Sequence, residues 1–81
     1  MRLLIIDDHK IVREGIANIA KREGIEVVAE AGNKEEAIAL LAATTPDVIT
    51  VDLSLPDGSG LEIVKFARRN DQKIEIGRAH V

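Results

Sequence analysis

Short apolar runs alternate with longer amphipathic segments along the chain. Residues 3–6 form a continuous apolar run that stops at Asp7 and Asp8, a pattern typical of a parallel strand covered on both faces. Residues 9–23 place apolar side chains at helical spacing and are followed by Gly24, so they predict an amphipathic helix. The predicted apolar positions of this helix are Val12, Ile16, Ile19 and Ala20.

A second strand and helix follow. Residues 25–31 alternate only in part between apolar and polar side chains, which predicts an edge strand with one better-covered face. Asn33, with Glu36 three positions later, is a candidate helix N-cap. The helix that it begins carries Ala37, Ile38, Leu40 and Leu41 and is predicted to end near Pro46.

The third pair begins with residues 47–52, which are apolar and β-branched and end on an acid. They predict a buried strand with Asp52 at its tip. Residues 56–60 are a dense turn signal. The helix predicted after them reaches about Asn70 and carries Leu61, Ile63, Val64, Phe66, Ala67 and Arg68.

The alternation of three strands with three helices predicts a parallel sheet with right-handed crossovers. Residues 73–75 could begin a fourth strand, but residues 76–81 do not continue the apolar run that a central strand needs. The regular pattern is therefore predicted to stop at about residue 75.

The predicted topology brings three acids together. In an open parallel sheet, ligands bind beyond the carboxyl ends of the strands where the strand order reverses, and Asp7, Asp8 and Asp52 end the first and third strands. Three neighbouring carboxylates repel one another unless a cation, hydrogen bonds or protonation offsets their charge. Mg²⁺ prefers oxygen ligands and keeps several waters, so it suits such a cluster.

Two plainer interpretations of the acids stay open from the residues alone. They could be solvated strand ends, which is the better interpretation of any one Asp by itself, or they could bind a metal without phosphoryl transfer. His9 invites a metal-ligand role, but a hard oxygen site favours Mg²⁺ over a metal that prefers histidine. We therefore expect His9 to begin the first helix and not to be a ligand.

Two segments resemble the receiver domains of bacterial two-component systems, especially the NarL/FixJ class. One runs from Ile5 through Asp7, Asp8 and His9 to Ile16, and the other is the phosphorylation-site-like segment 46–62 around Asp52. The resemblance covers roughly residues 1–75. It implies an α/β, flavodoxin-like, doubly wound parallel sheet with strand order 2-1-3, here incomplete at about three β-α units.

The resemblance also implies roles for particular residues. Asp52 would accept a phosphoryl group from a phosphohistidine on a sensor histidine kinase. Asp8 would ligate Mg²⁺ directly and Asp7 mainly through water, and the backbone carbonyl of Ser54 would supply a further ligand. The loop beside the site would be shaped by Pro56 and Gly60.

At the level of the whole protein, the resemblance implies phosphorelay signalling to control transcription. The intact parent would carry a C-terminal helix-turn-helix DNA-binding domain and could form a homodimer on phosphorylation. The domain would take its phosphoryl group from a donor and would not be an enzyme with turnover of its own. Receivers continue through a fourth and a fifth strand that carry a Ser or Thr, a Lys and a switching aromatic residue, and none of these can be placed in this sequence.

Composition narrows the partners. The 14 acidic residues exceed the 11 basic ones, so the chain offers no basic surface for duplex DNA, and with no Trp or Tyr it lacks stacking platforms for single strands. The absence of Cys fits a reducing cytoplasm. Only four apolar residues precede the acidic pair, which is too short for a signal peptide or a membrane span.

The C-terminal residues and the competing functions remain to be considered. Residues 76–81 resemble the translation of a common sequencing adapter, so we expect residues 1–75 to be a partial receiver domain and residues 76–81 a non-native tail. The competing functions are a haloacid-dehalogenase-like Mg²⁺ phosphatase and a non-phosphorylated receiver-like interaction module. The phosphatase usually shows Asp-x-Asp on one strand, whereas Ser54 stands where the second acid would be.

Overall fold

The computed structural model describes residues 1–70 and the strand at 75–79. The strands of the main sheet are β1 (Arg2–Ile6), β2 (Glu26–Ala31), β3 (Val48–Asp52) and β6 (Glu75–Ala79). Two further strands of two residues each, β4 (Ser54–Leu55) and β5 (Gly58–Ser59), form a small antiparallel hairpin. The helices are α1 (Lys10–Arg22), α2 (Lys34–Thr44) and α3 (Gly60–Asn70). Within this part of the chain no helix has both the length and the apolar character needed to cross a membrane.

The main sheet has the strand order β2-β1-β3-β6, and each of its neighbouring pairs is parallel. This confirms the predicted order 2-1-3 and the predicted place of β2 at an edge. In the register of the central pair, Ile6 of β1 lies beside Val51 of β3. The carboxyl ends of β1 and β3 therefore lie next to each other. Strand β1 ends just before Asp7, and β3 ends at Asp52.

The core lies on both faces of the sheet, because successive side chains of a strand point to opposite faces. Leu4 and Ile6 belong to the cluster under α2 and α3, whereas Leu3 and Ile5 belong to the cluster under α1. All four are buried, as the continuous apolar run of β1 predicts.

Two apolar residues that the pattern places on helix faces are exposed. Ile19 is 54% exposed and Leu61 is 47% exposed. In α1 the contact with the sheet is made by Ile16, Ala17 and Ala20, and Ile19 is rotated away from Ala20 by about 100°, the angle between consecutive helical residues. The face of each helix that packs is therefore narrower than the apolar pattern predicts.

The fourth strand extends further than the sequence pattern indicates. Strand β6 pairs with β3 from Glu75 to Ala79, with Ile76 beside Ile49, although the apolar run stops before these residues. Parallel pairing uses backbone groups, so it does not require an apolar run. The formation of β6 does not test whether residues 76–81 are native, so the non-native tail stays a prediction. Residues 80 and 81 lie outside the described part of the chain.

Candidate metal and phosphoacceptor site

Asp7, Asp8 and Asp52 meet at the carboxyl edge of the central strand pair. Asp7 and Asp8 directly follow β1, and Asp52 ends β3 beside it. One ligand atom from each of these acids and one from His9 all lie within 4.8 Å of one another. The sequence prediction that the three acids converge is confirmed by the fold, and the structure adds His9 to the cluster.

Asp7 is the most deeply buried of the three acids, with none of its side chain exposed. Its Oδ1 accepts the backbone N–H of His9 at 2.8 Å. Its Oδ2 is buried as well and has no hydrogen-bond partner among the described residues. A buried carboxylate oxygen without a partner is costly, so this atom offers a place for a ligand that the described residues do not supply.

Asp52 is held at the tip of β3 by its own loop. Its Oδ1 accepts the backbone N–H of Ser54 at 2.9 Å, and its Oδ2 faces the His9 imidazole, with 3.8 Å to Nδ1. The residue is only 6% exposed. One carboxylate oxygen is thus fixed by the backbone, while the other faces the acidic cluster.

His9 begins α1, as predicted, since it occupies the N-cap position of that helix. Its Nδ1 also lies 3.0 Å from Asp7 Oδ1 and 3.0 Å from Asp8 Oδ1. The hydrogen bond to Asp7 and the negative charge of Asp8 raise the pKa of the imidazole above its ordinary value. The imidazole therefore faces the same carboxylates that would hold a cation.

The residues fit a hard divalent cation. The cluster offers carboxylate oxygens from three acids, and one of these oxygens, Asp7 Oδ2, is buried and has no hydrogen-bond partner in the described part of the chain. Mg²⁺ prefers such ligands and usually keeps several waters. Solvent reaches the cluster at Asp8, whose side chain is 31% exposed. Ser54 contacts the site through its N–H, and its carbonyl as a ligand remains a prediction.

Gly60 closes the loop after Asp52, in line with the part in shaping this loop that the resemblance implies for it. A Cβ at this position would overlap with the backbone carbonyl oxygen of Asp52 and would lie 2.8 Å from Val51 Cγ1. Pro56 lies in the same loop on the exposed side. The buried Gly60 therefore lets the start of α3 pack directly against the end of β3.

Two side-chain contacts, one at the site and one between α2 and α3, do not follow from the sequence pattern. Arg13, which the helical pattern places on the polar face of α1, donates from Nη1 to the backbone carbonyl of Asp7 at 2.6 Å. Lys34 and Glu62, on different helices, form an ion pair of 2.7 Å. The charge types were visible in the sequence, but their partners are set by how the helices lie on the sheet.

Together the parallel sheet and the acidic cluster define a class of protein: a doubly wound α/β domain with a cluster of carboxylates at the carboxyl edge of its central strands. The protein-family model described as the response regulator receiver domain matches residues 3–77 of the chain. The chain therefore belongs to the receiver-domain family of response regulators.

Individual relatives agree with this assignment. The chain is 38% identical over 66 residues to the DNA-binding transcriptional activator DevR/DosR of Mycobacterium tuberculosis, covering 80% of this chain and 30% of that protein. It is 37% identical over 76 residues to the chemotaxis protein CheY of Listeria monocytogenes, covering 94% of this chain and 64% of that protein. In both cases the chain spans less than two thirds of the relative's length.

Solved structures give the same result. A two-component response regulator of the LuxR family from Aurantimonas sp. SI85-9A1 superposes with a TM-score of 0.86 at 41% identity, covering 95% of this chain and 56% of that one. The likeness to this regulator and to DevR/DosR agrees with a NarL/FixJ-type receiver. The haloacid-dehalogenase-like phosphatase is not supported, because the family match and the structural neighbours are receivers.

Proposed function

We propose that this chain is the phosphoacceptor part of a response regulator, with Asp52 as the residue that is phosphorylated. The single observation that carries the proposal is the position of the Asp52 carboxylate, which is buried at the tip of β3 and lies within 4.8 Å of the Asp7 and Asp8 ligand atoms. A carboxylate needs no activating base to act as a nucleophile, but it needs a fixed position and a neutralised phosphoryl group.

The chemistry assigned to Asp52 is an in-line displacement. Its oxygen forms a bond to phosphorus as the N–P bond of a phosphohistidine breaks, and the bonding electron pair stays on the imidazole nitrogen of the donor. The N–H of Ser54 at 2.9 Å holds the carboxylate in place, so little reorganisation is needed. When bound at Asp7, Asp8, Asp52 and the Ser54 carbonyl, Mg²⁺ supplies positive charge for the phosphoryl oxygens.

The proposed partner is a sensor histidine kinase, which presents the phosphohistidine. We propose that the intact regulator controls transcription through a DNA-binding domain outside this chain, because DevR/DosR is a DNA-binding activator of which this chain matches 30%. Homodimer formation on phosphorylation and a cytoplasmic location belong to the same proposal. The chain would take one phosphoryl group from its donor and would not turn over a substrate by itself.

The test is incubation of the 81-residue chain with Mg²⁺ and acetyl phosphate, followed by mass measurement of the intact protein. We expect a gain of one phosphoryl group that is lost in Asp52→Asn. Asp47→Asn is the matched control, because Asp47 precedes the same strand at its other end. A gain that survives Asp52→Asn, or no gain in the native sequence, would overturn the proposal.

A further inference from the structure

Arg13 reaches from α1 to the backbone of the acidic pair. Its Nη1 donates to the carbonyl oxygen of Asp7 at 2.6 Å, and its Nε lies 3.4 Å from Glu30 Oε1 near the end of β2. Only 20% of its side chain is exposed. A Cβ on Gly32 would lie 3.3 Å from Nη1, so the turn after β2 closes around the guanidinium.

This contact fixes a peptide plane. The carbonyl of Asp7 and the N and Cα atoms of Asp8 belong to one rigid planar peptide group. A donor that holds the carbonyl therefore also fixes the position of the Asp8 Cα, from which the side chain extends. The other side of Asp7 is held as well, because its N–H donates to the Ala31 carbonyl at 2.9 Å. The segment between the end of β1 and His9 is thereby anchored at the backbone on both sides of Asp7.

Asp8 depends on this anchoring more than its neighbours do. Asp7 is fixed through its buried side chain, and Asp52 is fixed through the N–H of Ser54. The Asp8 side chain is 31% exposed, and among the described residues its partner is the His9 imidazole. The direction of the Asp8 carboxylate is therefore governed mainly by the backbone that carries it.

We propose that Arg13 is a positioning residue for the metal site, which raises the affinity for Mg²⁺ by holding the Asp7–Asp8 peptide and with it the direction of the Asp8 carboxylate, one of the groups that would hold the cation. This inference rests on the proposed function, since it assumes that Mg²⁺ binds at the acidic cluster. The guanidinium carries no acceptor, so Arg13 cannot itself be a ligand of the cation. Partners of this kind, which hold a ligand from outside, commonly change metal affinity about 10-fold to 100-fold when they are removed.

A purely electrostatic role would have the opposite sign. A guanidinium near the site repels a divalent cation, so removing its charge would tighten Mg²⁺ binding. The nearby Glu30 carboxylate offsets this charge, at 3.4 Å from Nε. If Arg13 acts by positioning, its removal weakens binding instead, so the direction of the change separates the two roles.

The experiment measures the Mg²⁺ dissociation constant of the 81-residue chain by isothermal titration calorimetry, because the chain has no Trp or Tyr to report binding by fluorescence. We expect Arg13→Met to bind Mg²⁺ about 10-fold more weakly than the native sequence. Arg13→Lys should lie between the two, since an ammonium group keeps the charge but donates from a single nitrogen, whereas the guanidinium places Nη1 on the Asp7 carbonyl and Nε beside Glu30. Lys10→Met is the control, because it removes a cation from an exposed position of the same helix.

The outcomes are distinct. A native chain that does not bind Mg²⁺ refutes the metal site of the proposed function and the role of Arg13 with it. A native chain that binds, together with Arg13→Met that binds as tightly or more tightly, refutes the Arg13 role alone. If Arg13→Met does not fold, Arg13→Lys and Gly32→Ala decide: weaker binding in both supports the role, and unchanged binding in both overturns it.

A second measurement separates positioning from general damage to the fold. If Arg13 acts through Mg²⁺ affinity, the rate of phosphorylation by acetyl phosphate in Arg13→Met approaches the native rate as Mg²⁺ is raised to saturation. A rate that stays low at saturating Mg²⁺ would contradict the inference, since the defect would then lie in Asp52 or in the fold.

Discussion

Gly60, the first residue of α3, packs directly against the backbone carbonyl of Asp52, the proposed phosphoacceptor. The N–H of Gly60 donates to the carbonyl of Leu53 at 3.2 Å, so the chain returns to the end of β3 after the hairpin formed by β4 and β5. A Cβ at position 60 would also lie 2.9 Å from Leu53 Cα. The restriction is steric, because backbone atoms and a core side chain already fill the space.

The first prediction concerns this close contact. Gly60→Ala forces the start of α3 away from β3, and we expect the free energy of unfolding to fall by about 1–3 kcal/mol, as overpacking of a filled site usually costs. Because the displaced carbonyl belongs to Asp52, phosphorylation by acetyl phosphate should slow as well. Urea denaturation and the rate of mass gain are the two measurements.

Gly15→Ala is the matched control for this substitution. Gly15 lies in the middle of α1, is exposed, and has nothing within 4 Å of the position that a Cβ would take. Alanine there should stabilise the protein by about 0.5–1 kcal/mol, because glycine is a poor helix residue. Equal effects of the two substitutions would show that the contact with Asp52 is not the cause.

The apolar pattern predicts the sheet and the place of the acids well. A continuous apolar run that ends on an acid is typical of a buried parallel strand, which puts Asp7 and Asp52 at the same edge of the sheet. The pattern does not show that both acids are themselves buried. The N-cap of α2 could also be predicted, since Asn33 accepts the N–H of Glu36 at 2.8 Å and this interaction spans three residues. Local rules are sufficient for such features.

Contacts between distant segments could not be predicted. The pairing of Lys34 with Glu62 joins α2 to α3 across 28 positions of the sequence, and the reach of Arg13 to the Asp7 carbonyl depends on how α1 lies on the sheet. Leu61 looks like a core position at helical spacing, yet it is exposed because the buried face of α3 is centred on Ile63 and Ala67. These features depend on the orientation of each helix, which periodicity alone does not fix.

The N-cap of α2 gives the second prediction. Asn33→Ala removes the acceptor for the Glu36 N–H, and we expect it to lower the free energy of unfolding by about 1 kcal/mol. Asn18→Ala is the control, because Asn18 is exposed in the middle of α1, where alanine is the better helix former. Thermal or urea denaturation of both variants is sufficient, and a loss of the same size in Asn18→Ala would contradict the cap.

Asp57 gives the third prediction. From the loop between β4 and β5, its carboxylate accepts two backbone N–H groups at the start of α2, from Lys34 at 2.7 Å and from Glu35 at 3.1 Å. The hydrogen bond from Lys34 lowers the pKa of Asp57 below its ordinary value. The contribution of Asp57 to stability is therefore present above its unfolded pKa of about 3.9 and is lost as the pH falls through the lower folded pKa.

The measurement compares the native chain with Asp57→Asn across a pH series. We expect Asp57→Asn to be less stable at neutral pH, and we expect this difference in the free energy of unfolding to shrink as the pH falls below about 4. Glu35→Gln is the control, since it removes the same charge from the first turn of α2 while its backbone N–H still donates to Asp57. A difference that does not depend on pH would rule out the ionised carboxylate as the cause.

The fourth prediction concerns Mg²⁺ and the stability of the fold. A ligand that binds only the folded state stabilises it by mass action, by about 2.7 kcal/mol when its concentration is 100 times its dissociation constant, so Mg²⁺ should raise the Tm of the native chain. Asp8→Asn removes one carboxylate from the cluster and should require more Mg²⁺ for the same rise in Tm. Glu14→Gln is the control, because it removes an exposed acid of α1 that pairs with Lys10 outside the cluster. Since the Asp8 side chain is 31% exposed, its substitution leaves the core intact, and an unchanged response to Mg²⁺ in Asp8→Asn would mean that the cation binds elsewhere.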